Sequence, residues 1–211
     1  MTVRAFLGLL AVSLLATTAK ASTYESHECF SKDLGRRIQA CGQLLAQPDL
    51  APNTRSTAYA MRALALSVLG RYPEAIADYD EAIALNPYYA IALNNRAWAH
   101  FRSGNVSAAW PDVRRSLRID PFSPHAHDTR GHLHHAEGRP EAAYNDYRRA
   151  MQFGGTEMVK LYQCGLQSFG HYTGPRNGLV SDELLLGLKA CSADKKCDPL
   201  PPDEECTAAT S

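Results

Sequence analysis

Histidine and cysteine supply the chemistry that this sequence could do. Five of the eight histidines fall between residues 125 and 135. Three of these five form a stripe with one aspartate, at spacings of three, four and three residues: His125, Asp128, His132 and His135. On a helix this spacing puts the four side chains on one face, where imidazole and carboxylate groups can bind a divalent metal. The same imidazoles can titrate near about pH 6.5, and a solvated face with a chance excess of histidine is the third interpretation.

We expect neither a metal nor a cofactor, because no second helix offers ligands that would complete a tetrahedral shell. A metal-responsive or pH-responsive binding protein that uses His125, His132 and His135 stays open as an alternative. The signatures of catalysis are also missing, since the chain has no nucleophile elbow, no phosphate-cradling glycine loop and no HEXXH zinc motif. We therefore expect a protein that is not an enzyme.

The six cysteines can be thiols, metal ligands or disulfides, and the compartment decides between them. The N-terminus has the pattern of a secretory signal peptide, with Arg4, an apolar run over residues 5–16 and a small-x-small site that ends at Ala21. The run is shorter than the roughly 20 residues that a spanning helix needs. We expect a signal peptide over residues 1–21, cleaved after Ala21, and a periplasmic or secreted mature chain without a membrane span. The cysteines then read as disulfides.

Composition narrows the class of partner. The 211 residues are 45% hydrophobic, 22 Lys and Arg balance 22 Asp and Glu, and the mean hydropathy is -0.30. This is the profile of a globular protein and not of a disordered chain. A neutral chain without a basic stripe is also unlike a nucleic-acid-binding protein, so we expect no nucleic-acid partner.

The elements that must position these side chains repeat every 34 residues. Four columns of identical residues align when the chain is shifted by 34: Arg62, Arg96 and Arg130; Gly70, Gly104 and Gly138; Ala75, Ala109 and Ala143; and Asp78, Asp112 and Asp146. Each unit predicts a helix, a glycine turn and a second helix. The predicted helices are 56–69 and 73–85, 90–103 and 107–119, and 124–137 and 140–153. Pro111 falls inside one of them, so that helix either begins late or kinks.

A period of 34 with small residues at helix crossings resembles the tetratricopeptide repeat family, over units 56–89, 90–123 and 124–155. The resemblance implies an all-α solenoid of helix-turn-helix units, whose first helices line a concave groove that binds a protein or peptide. The residues placed on that groove are Asn94, Trp98, Phe101, Arg102, His125, Asp128, His132 and His135. Trp98 and Arg102 are residue types that anchor interfaces, although packing between hairpins would also explain Trp98. Equal spacing of the arginine and aspartate columns further suggests that they pair.

Residues 22–55 read as a degenerate N-terminal hairpin. It carries Cys29 and Cys41, one on each arm. A disulfide between them would stabilise a terminal unit that has a neighbour on one side only. Two buried thiols are the alternative.

Residues 156–195 follow a different pattern, in which two short helices flank a loop rich in glycine and proline. They resemble the helical peptidoglycan-binding-like domain of cell-wall proteins, and the matching positions are Gln163, Gly170, Tyr172, Gly174, Pro175, Asn177 and Gly178. The resemblance implies docking to peptidoglycan. A small domain that only caps the last repeat is the alternative.

Four further cysteines lie in this C-terminal part. Cys164 and Cys191 fall on the two predicted helices, which favours a bridge between them and leaves Cys197 and Cys206 to close a second loop. Three pairings are open in principle. For residues 196–211 we expect a disulfide loop and a flexible tail. The sequence thus predicts an exported, non-catalytic scaffold for a periplasmic protein or peptide, with docking to peptidoglycan or a plain capping domain as the two interpretations of its C-terminus.

Overall fold

A computed structural model describes residues 27–200 and Cys206, so the predicted signal peptide and most of the predicted tail lie outside it. The described part is all-helical, as predicted, with eight helices and no strand. The helices are α1 Leu34–Leu45, α2 Pro52–Val68, α3 Tyr72–Leu85, α4 Ala90–Arg102, α5 Val106–Ile119, α6 Pro124–Ala136, α7 Pro140–Ser168 and α8 Asp182–Ala193. Within these residues no helix is long and apolar enough to cross a membrane.

The turn inside each repeat is built in the same way. Gly70, Gly104 and Gly138 follow α2, α4 and α6 with φ of 73°, 86° and 69°, in the left-handed region that favours glycine. The next residue then donates its N–H to the carbonyl five residues earlier, at 2.9 Å from Arg71 to Leu66 in the first repeat. The second and third repeats make the equivalent bonds at 2.8 and 2.9 Å. This is the hydrogen-bond pattern of a glycine C-cap, and it explains the glycine column.

The arginine and aspartate columns pair, as the spacing suggested. Arg62 donates from Nε and from a terminal nitrogen to the two oxygens of Asp78, both at 2.7 Å. We call this two-pronged contact a fork. The second repeat has the same fork, between Arg96 and Asp112, at 2.7 and 2.8 Å, and the third has it between Arg130 and Asp146 at 2.8 and 2.6 Å. Two-pronged contacts fix the orientation of the two side chains as well as their distance. Each fork therefore holds the first helix of its repeat to the second.

The chain divides into two compact units, one ending at Asn95 and the other beginning at Arg96. In the first unit, α1 packs on α2 and α2 on α3. The predicted bridge is present there, because Cys29 and Cys41 form a disulfide that is buried with Leu44 and Ala58. The degenerate hairpin is thus closed by a covalent bond beside its small apolar core.

In the second unit the third repeat runs directly into the C-terminal helices. The two helices predicted on either side of Gly155 form one element, α7, which breaks at that glycine with φ of 63° and ψ of -155°. One apolar core extends from Ala143 in the third repeat to Leu188 and Cys197 at the C-terminal end. The residues predicted as a separate domain therefore share their core with the last repeat.

Two details of the second unit explain sequence features. Gly131 stands where the two earlier repeats have Ala63 and Ala97. It is a glycine because the ring of Tyr147 lies over it, and a Cβ there would overlap that ring. Pro111 lies inside α5, which begins at Val106 after an N-cap hydrogen bond from the Ala108 amide to the Asn105 side chain. Of the two alternatives that Pro111 left open, a helix that begins late is therefore wrong.

The preferred pairing of the four C-terminal cysteines is also wrong. Cys191 bonds to Cys197, and Cys164 bonds to Cys206. The cause is a tight turn after α8, in which the Cys197 amide donates to the Asp194 carbonyl at 3.0 Å. This turn returns the chain at once to the end of the helix, with the two Cα atoms 5.3 Å apart. Sequence spacing alone could not show such a turn.

Candidate functional site

The centre of the histidine stripe on α6 lies inside the fold. His132 is 4% exposed, and both of its ring nitrogens face acceptors. Nδ1 lies 3.0 Å from the backbone oxygen of Asp128, and Nε2 lies 3.0 Å from Oδ1 of Asp198. An imidazole that donates from both nitrogens is an imidazolium. The geometry therefore describes a buried cation between two aspartates.

The charges of His132 and Asp198 stabilise each other. Burial by itself lowers the pKa of His132, but the Asp128 carboxylate and the hydrogen-bonded Asp198 outweigh burial and raise it to about 9. Burial raises the pKa of Asp128, against the opposing effects of His132 and Tyr162. For Asp198, burial is outweighed by His132 and by the charge of Arg102, so the pKa of this carboxyl is lowered. The hydroxyl of Tyr162 donates to Oδ1 of Asp128 at 2.5 Å and closes the cluster from α7.

The outer members of the stripe differ from its centre. His125 is exposed and His135 is half-buried. Nε2 of His135 lies 2.9 Å from the backbone oxygen of Asp194, just after α8. With the Asp198 contact to His132, this means that the segment 194–198 covers the face of α6 on which a partner was expected. Asp128 and His132 are thus engaged by the chain itself.

The open part of the predicted surface is the end of α4. Trp98 and Phe101 are half-buried, and Arg102 is exposed. The ring centroids of Trp98 and Phe101 are 5.3 Å apart, and the Arg102 guanidinium lies 5.5 Å from the Trp98 centroid. The ring of Trp98 contacts the ring of His132 edge-on, with the centroids 5.2 Å apart, so Trp98 packs against α6. The result is a supported aromatic pair with a cation stacked on it, as is common at interface anchors.

Asn94 belongs to the first unit. It is buried, and its Nδ2 donates to Oδ1 of Asn95 at 3.3 Å. A buried asparagine that bonds to its neighbour on the helix reads as part of the interior, which the sequence pattern did not indicate.

The C-terminal motif residues contact each other. Gln163, fully buried on α7, donates to Oδ1 of Asn177 at 3.1 Å and to the Leu179 carbonyl at 3.0 Å. Its Oε1 accepts from the Gly178 amide at 2.9 Å. Gly178 has φ of 73°, and a Cβ there would overlap the Thr156 side chain. Gln163 therefore holds the end of the loop through three hydrogen bonds, to Asn177, Gly178 and Leu179.

The start of the loop is held in the same manner. Gly170 continues the glycine C-cap pattern after α7 with φ of 73°. The Tyr172 hydroxyl donates to the Pro175 carbonyl at 3.0 Å, and its ring lies against Gly174, where a Cβ would overlap it. These contacts explain the motif as the scaffold of its own loop.

Sequence reasoning missed several partners of these residues. Tyr162, Asp194 and Asp198 lie outside the tetratricopeptide columns and carry no motif, so no spacing linked them to the stripe on α6. His127 was also not singled out, although its Nδ1 lies 3.3 Å from Oδ1 of Asp146, the aspartate of the third fork. Within residues 27–200 and Cys206, no three His, Cys, Asp or Glu side chains are grouped so as to hold a metal ion.

Comparison with known proteins supports the repeat interpretation. Residues 60–124 match the model of the tetratricopeptide repeat family. Among solved structures, MamA 41-end from Desulfovibrio magneticus RS-1 is similar at a TM-score of 0.56 and 17% identity, covering 69% of this chain and 80% of that chain. The MamA RS-1 ArsTM double mutant is similar at 0.55 and 17%, over 69% and 79%. Identities this low show the fold alone. A search of curated proteins finds no match to this sequence.

Proposed function

We propose that this protein is an exported, non-catalytic scaffold that binds a protein or peptide partner at the end of α4, through Trp98, Phe101 and Arg102. Tetratricopeptide repeats serve as protein-binding scaffolds, and the match over residues 60–124 makes this the general function that fits the fold. The observation that carries the specific proposal is the stacked trio on α4, with Arg102 over the Trp98 ring at 5.5 Å. Aromatic and arginine side chains that are pre-ordered in this way lose little entropy on binding.

The C-terminal segment defines where this surface ends. Asp198 and Asp194 cover His132 and His135, whereas Arg102 on α4 and His125 at the start of α6 are exposed. The shared core of α7 and α8 supports the interpretation that the C-terminal helices cap the last repeat. We therefore place the partner at the end of α4, on Trp98, Phe101 and Arg102, and not along the whole stripe.

Export is the second half of the proposal. It is supported by the signal-like N-terminus and by three disulfides that use all six cysteines. Structural disulfides persist in oxidising compartments such as the bacterial periplasm. Cell fractionation with thiol alkylation tests this: the protein should be recovered from the periplasm or medium, shortened at Ala21 and without a free thiol. Recovery of a full-length, reduced chain from the cytosol would contradict export.

The binding surface can be tested by selection from a displayed library of random peptides. Peptides selected on the wild-type protein should lose about tenfold or more of their affinity when Trp98 is changed to alanine. Trp110→Ala is the matched control, because Trp110 on α5 is also half-buried and also carries arginines, Arg114 and Arg139, 4.9 Å from its ring centroid. Peptides that lose affinity equally in both variants would place the site elsewhere.

Docking to peptidoglycan is the alternative role of the C-terminal helices. The motif positions that suggested it, such as Gln163 and Tyr172, point inward and are explained by the loop that they hold. Co-sedimentation of the oxidised protein with purified peptidoglycan separates the two roles. We expect the protein to stay in the supernatant, as a capping domain requires, whereas saturable pelleting would establish a wall-docking module.

A further inference from the structure

A second surface of this chain lies between α7 and α8. A pocket of about 430 Å³ opens there, with Met151, Val180 and Leu185 as its apolar lining and Arg148, Arg149 and Gln152 as polar lining. Met151 is 2% exposed and belongs to the main core, so the base of the pocket is part of the packed interior. A volume of this size falls in the range of ligand pockets and is enough for one large apolar side chain together with a polar group.

The polar lining of this pocket carries positive charge in excess. Within the described residues, the Arg148 guanidinium has no carboxylate partner and lies 5.6 Å from the Tyr144 ring centroid. Arg149 lies 3.6 Å from Oδ1 of Asp146, but that carboxylate already accepts the two-pronged contact from Arg130. The Arg149 side chain is also 54% exposed. Both arginines are therefore available to an incoming anion.

A second pocket adjoins the first. It is smaller, at about 280 Å³, shares Arg149 and adds Arg130, His127 and the apolar Phe153. Two adjoining pockets thus each combine arginine with an apolar wall. A single carboxylate, such as a free C-terminus, would satisfy only one of Arg148 and Arg149, whereas a segment with several acidic side chains could use both.

Exposed apolar side chains border this region along the chain. Val180, which lines the pocket together with Leu185, is 53% exposed, and the preceding residue Leu179 is 65% exposed. Leu186, which follows Leu185 on α8, is 70% exposed. Large apolar side chains exposed to water next to accessible arginines are typical of an interaction surface.

From these features we infer that the cleft between α7 and α8 binds an acidic peptide segment of a partner protein, with an apolar residue in the pocket and Asp or Glu side chains on Arg148 and Arg149. The site uses other helices than the proposed α4 surface and does not depend on it. The positive charge of Arg148 and Arg149 favours an acidic segment. The apolar lining of the pocket favours a leucine or a similar apolar side chain in that segment.

Fluorescence anisotropy with short blocked peptides tests this inference. The probe repeats Glu-Asp-Leu, with acetylated and amidated ends so that no terminal carboxylate is present. Two matched probes replace either the acids by Gln and Asn or the leucines by Ser. We expect the first probe to bind, and both replacements to weaken binding by about tenfold.

Charge-reversal variants locate the binding. Arg148→Glu combined with Arg149→Glu should weaken the first probe by about tenfold or more. Arg36→Glu combined with Arg118→Glu changes two exposed arginines by the same net charge and should change affinity by less than about twofold. The Trp98→Ala variant should bind the probe as the wild type does, which separates this site from the α4 surface.

Several results would overturn the inference. Equal effects of the two double variants would mean that only the general field of the protein attracts the probe. If the serine probe bound as tightly as the first probe, the leucine side chain would not act as an apolar anchor in the pocket. No binding of any peptide, or binding of anionic phospholipid vesicles that the peptide cannot displace, would show that the cleft does not serve an acidic peptide.

Discussion

Nε2 of His132 and Oδ1 of Asp198 lie 3.0 Å apart although 66 residues separate them in sequence. This contact joins the first helix of the third repeat to the segment after α8, and it places a negative charge against a buried imidazolium. Charge and geometry agree here, because the same imidazolium donates to Asp128 on its other side. Together with the contact between His135 and the Asp194 carbonyl, it holds the C-terminal segment on α6.

The first prediction is a pH dependence of stability. Because the His132 pKa of about 9 in the folded state exceeds the value of about 6.5 expected for an unfolded imidazole, the folded state binds this proton more tightly. The stabilisation is complete below about pH 6.5 and is lost as the pH rises through about 9, by an amount of up to about 3 kcal/mol. Urea unfolding at several pH values measures it.

Two variants make that prediction specific. His132→Gln should flatten the loss of stability between about pH 6.5 and 9, whereas His125→Gln, the matched substitution at an exposed position, should retain that loss. Asp198→Asn should lower the pKa of His132, which NMR titration of the ring protons can follow. A His132 resonance that titrates at the usual histidine value in the wild type would contradict the buried imidazolium.

The second prediction concerns the repeated forks. Double-mutant cycles on Arg62 and Asp78, and on Arg130 and Asp146, should show coupling of about 1–3 kcal/mol, because the aspartates are buried and the contacts two-pronged. Arg71 and Glu74 form the control, since they have the same two-pronged contact in an exposed setting. Their coupling should be clearly smaller. Equal coupling in all three cycles would mean that burial adds nothing to the forks.

The third prediction separates strain from packing at two glycines of one loop. Gly170 and Gly178 share φ of 73°, but a Cβ meets nothing within 4 Å at Gly170 and lies 2.9 Å from the Thr156 carbonyl oxygen at Gly178. Gly170→Ala should therefore cost about 1 kcal/mol, the conformational penalty alone. Gly178→Ala should cost at least about 1 kcal/mol more, because the loop must also move. Thermal and urea unfolding compare the two, and equal losses would contradict the close approach to Thr156.

The fourth prediction is the disulfide pattern. Trypsin leaves Cys197 and Cys206 on one peptide, so a second cleavage after Glu204 or Glu205 is needed before mass spectrometry. The expected linked pairs are Cys191 with Cys197 and Cys164 with Cys206. Peptides that link Cys164 to Cys191 would restore the pairing that the sequence favoured and would remove the covalent anchor of the C-terminal segment.

The repeats can be predicted from the sequence because each column of identical residues has a structural role within its own repeat. Gly104 ends a helix, Asp112 receives an arginine sixteen residues earlier, and Ala109 lets two helices approach, so period and residue type are sufficient. The end of the molecule could not be predicted in this way. Asp198 reaches His132 through a turn after α8 that no repeat dictates, and the cysteine pairing follows from that same turn. Long-range contacts of a segment outside the repeats leave no period in the sequence.

The central claim is that a partner binds at the end of α4, and calorimetric titration of one library-selected peptide tests it most directly. We predict a one-to-one complex that Trp98→Ala weakens by about tenfold or more, while Trp110→Ala, confirmed as folded by circular dichroism, stays within about twofold of the wild type. A peptide that binds the Trp98→Ala protein as tightly as the wild type would contradict the claim and would move the binding site away from α4.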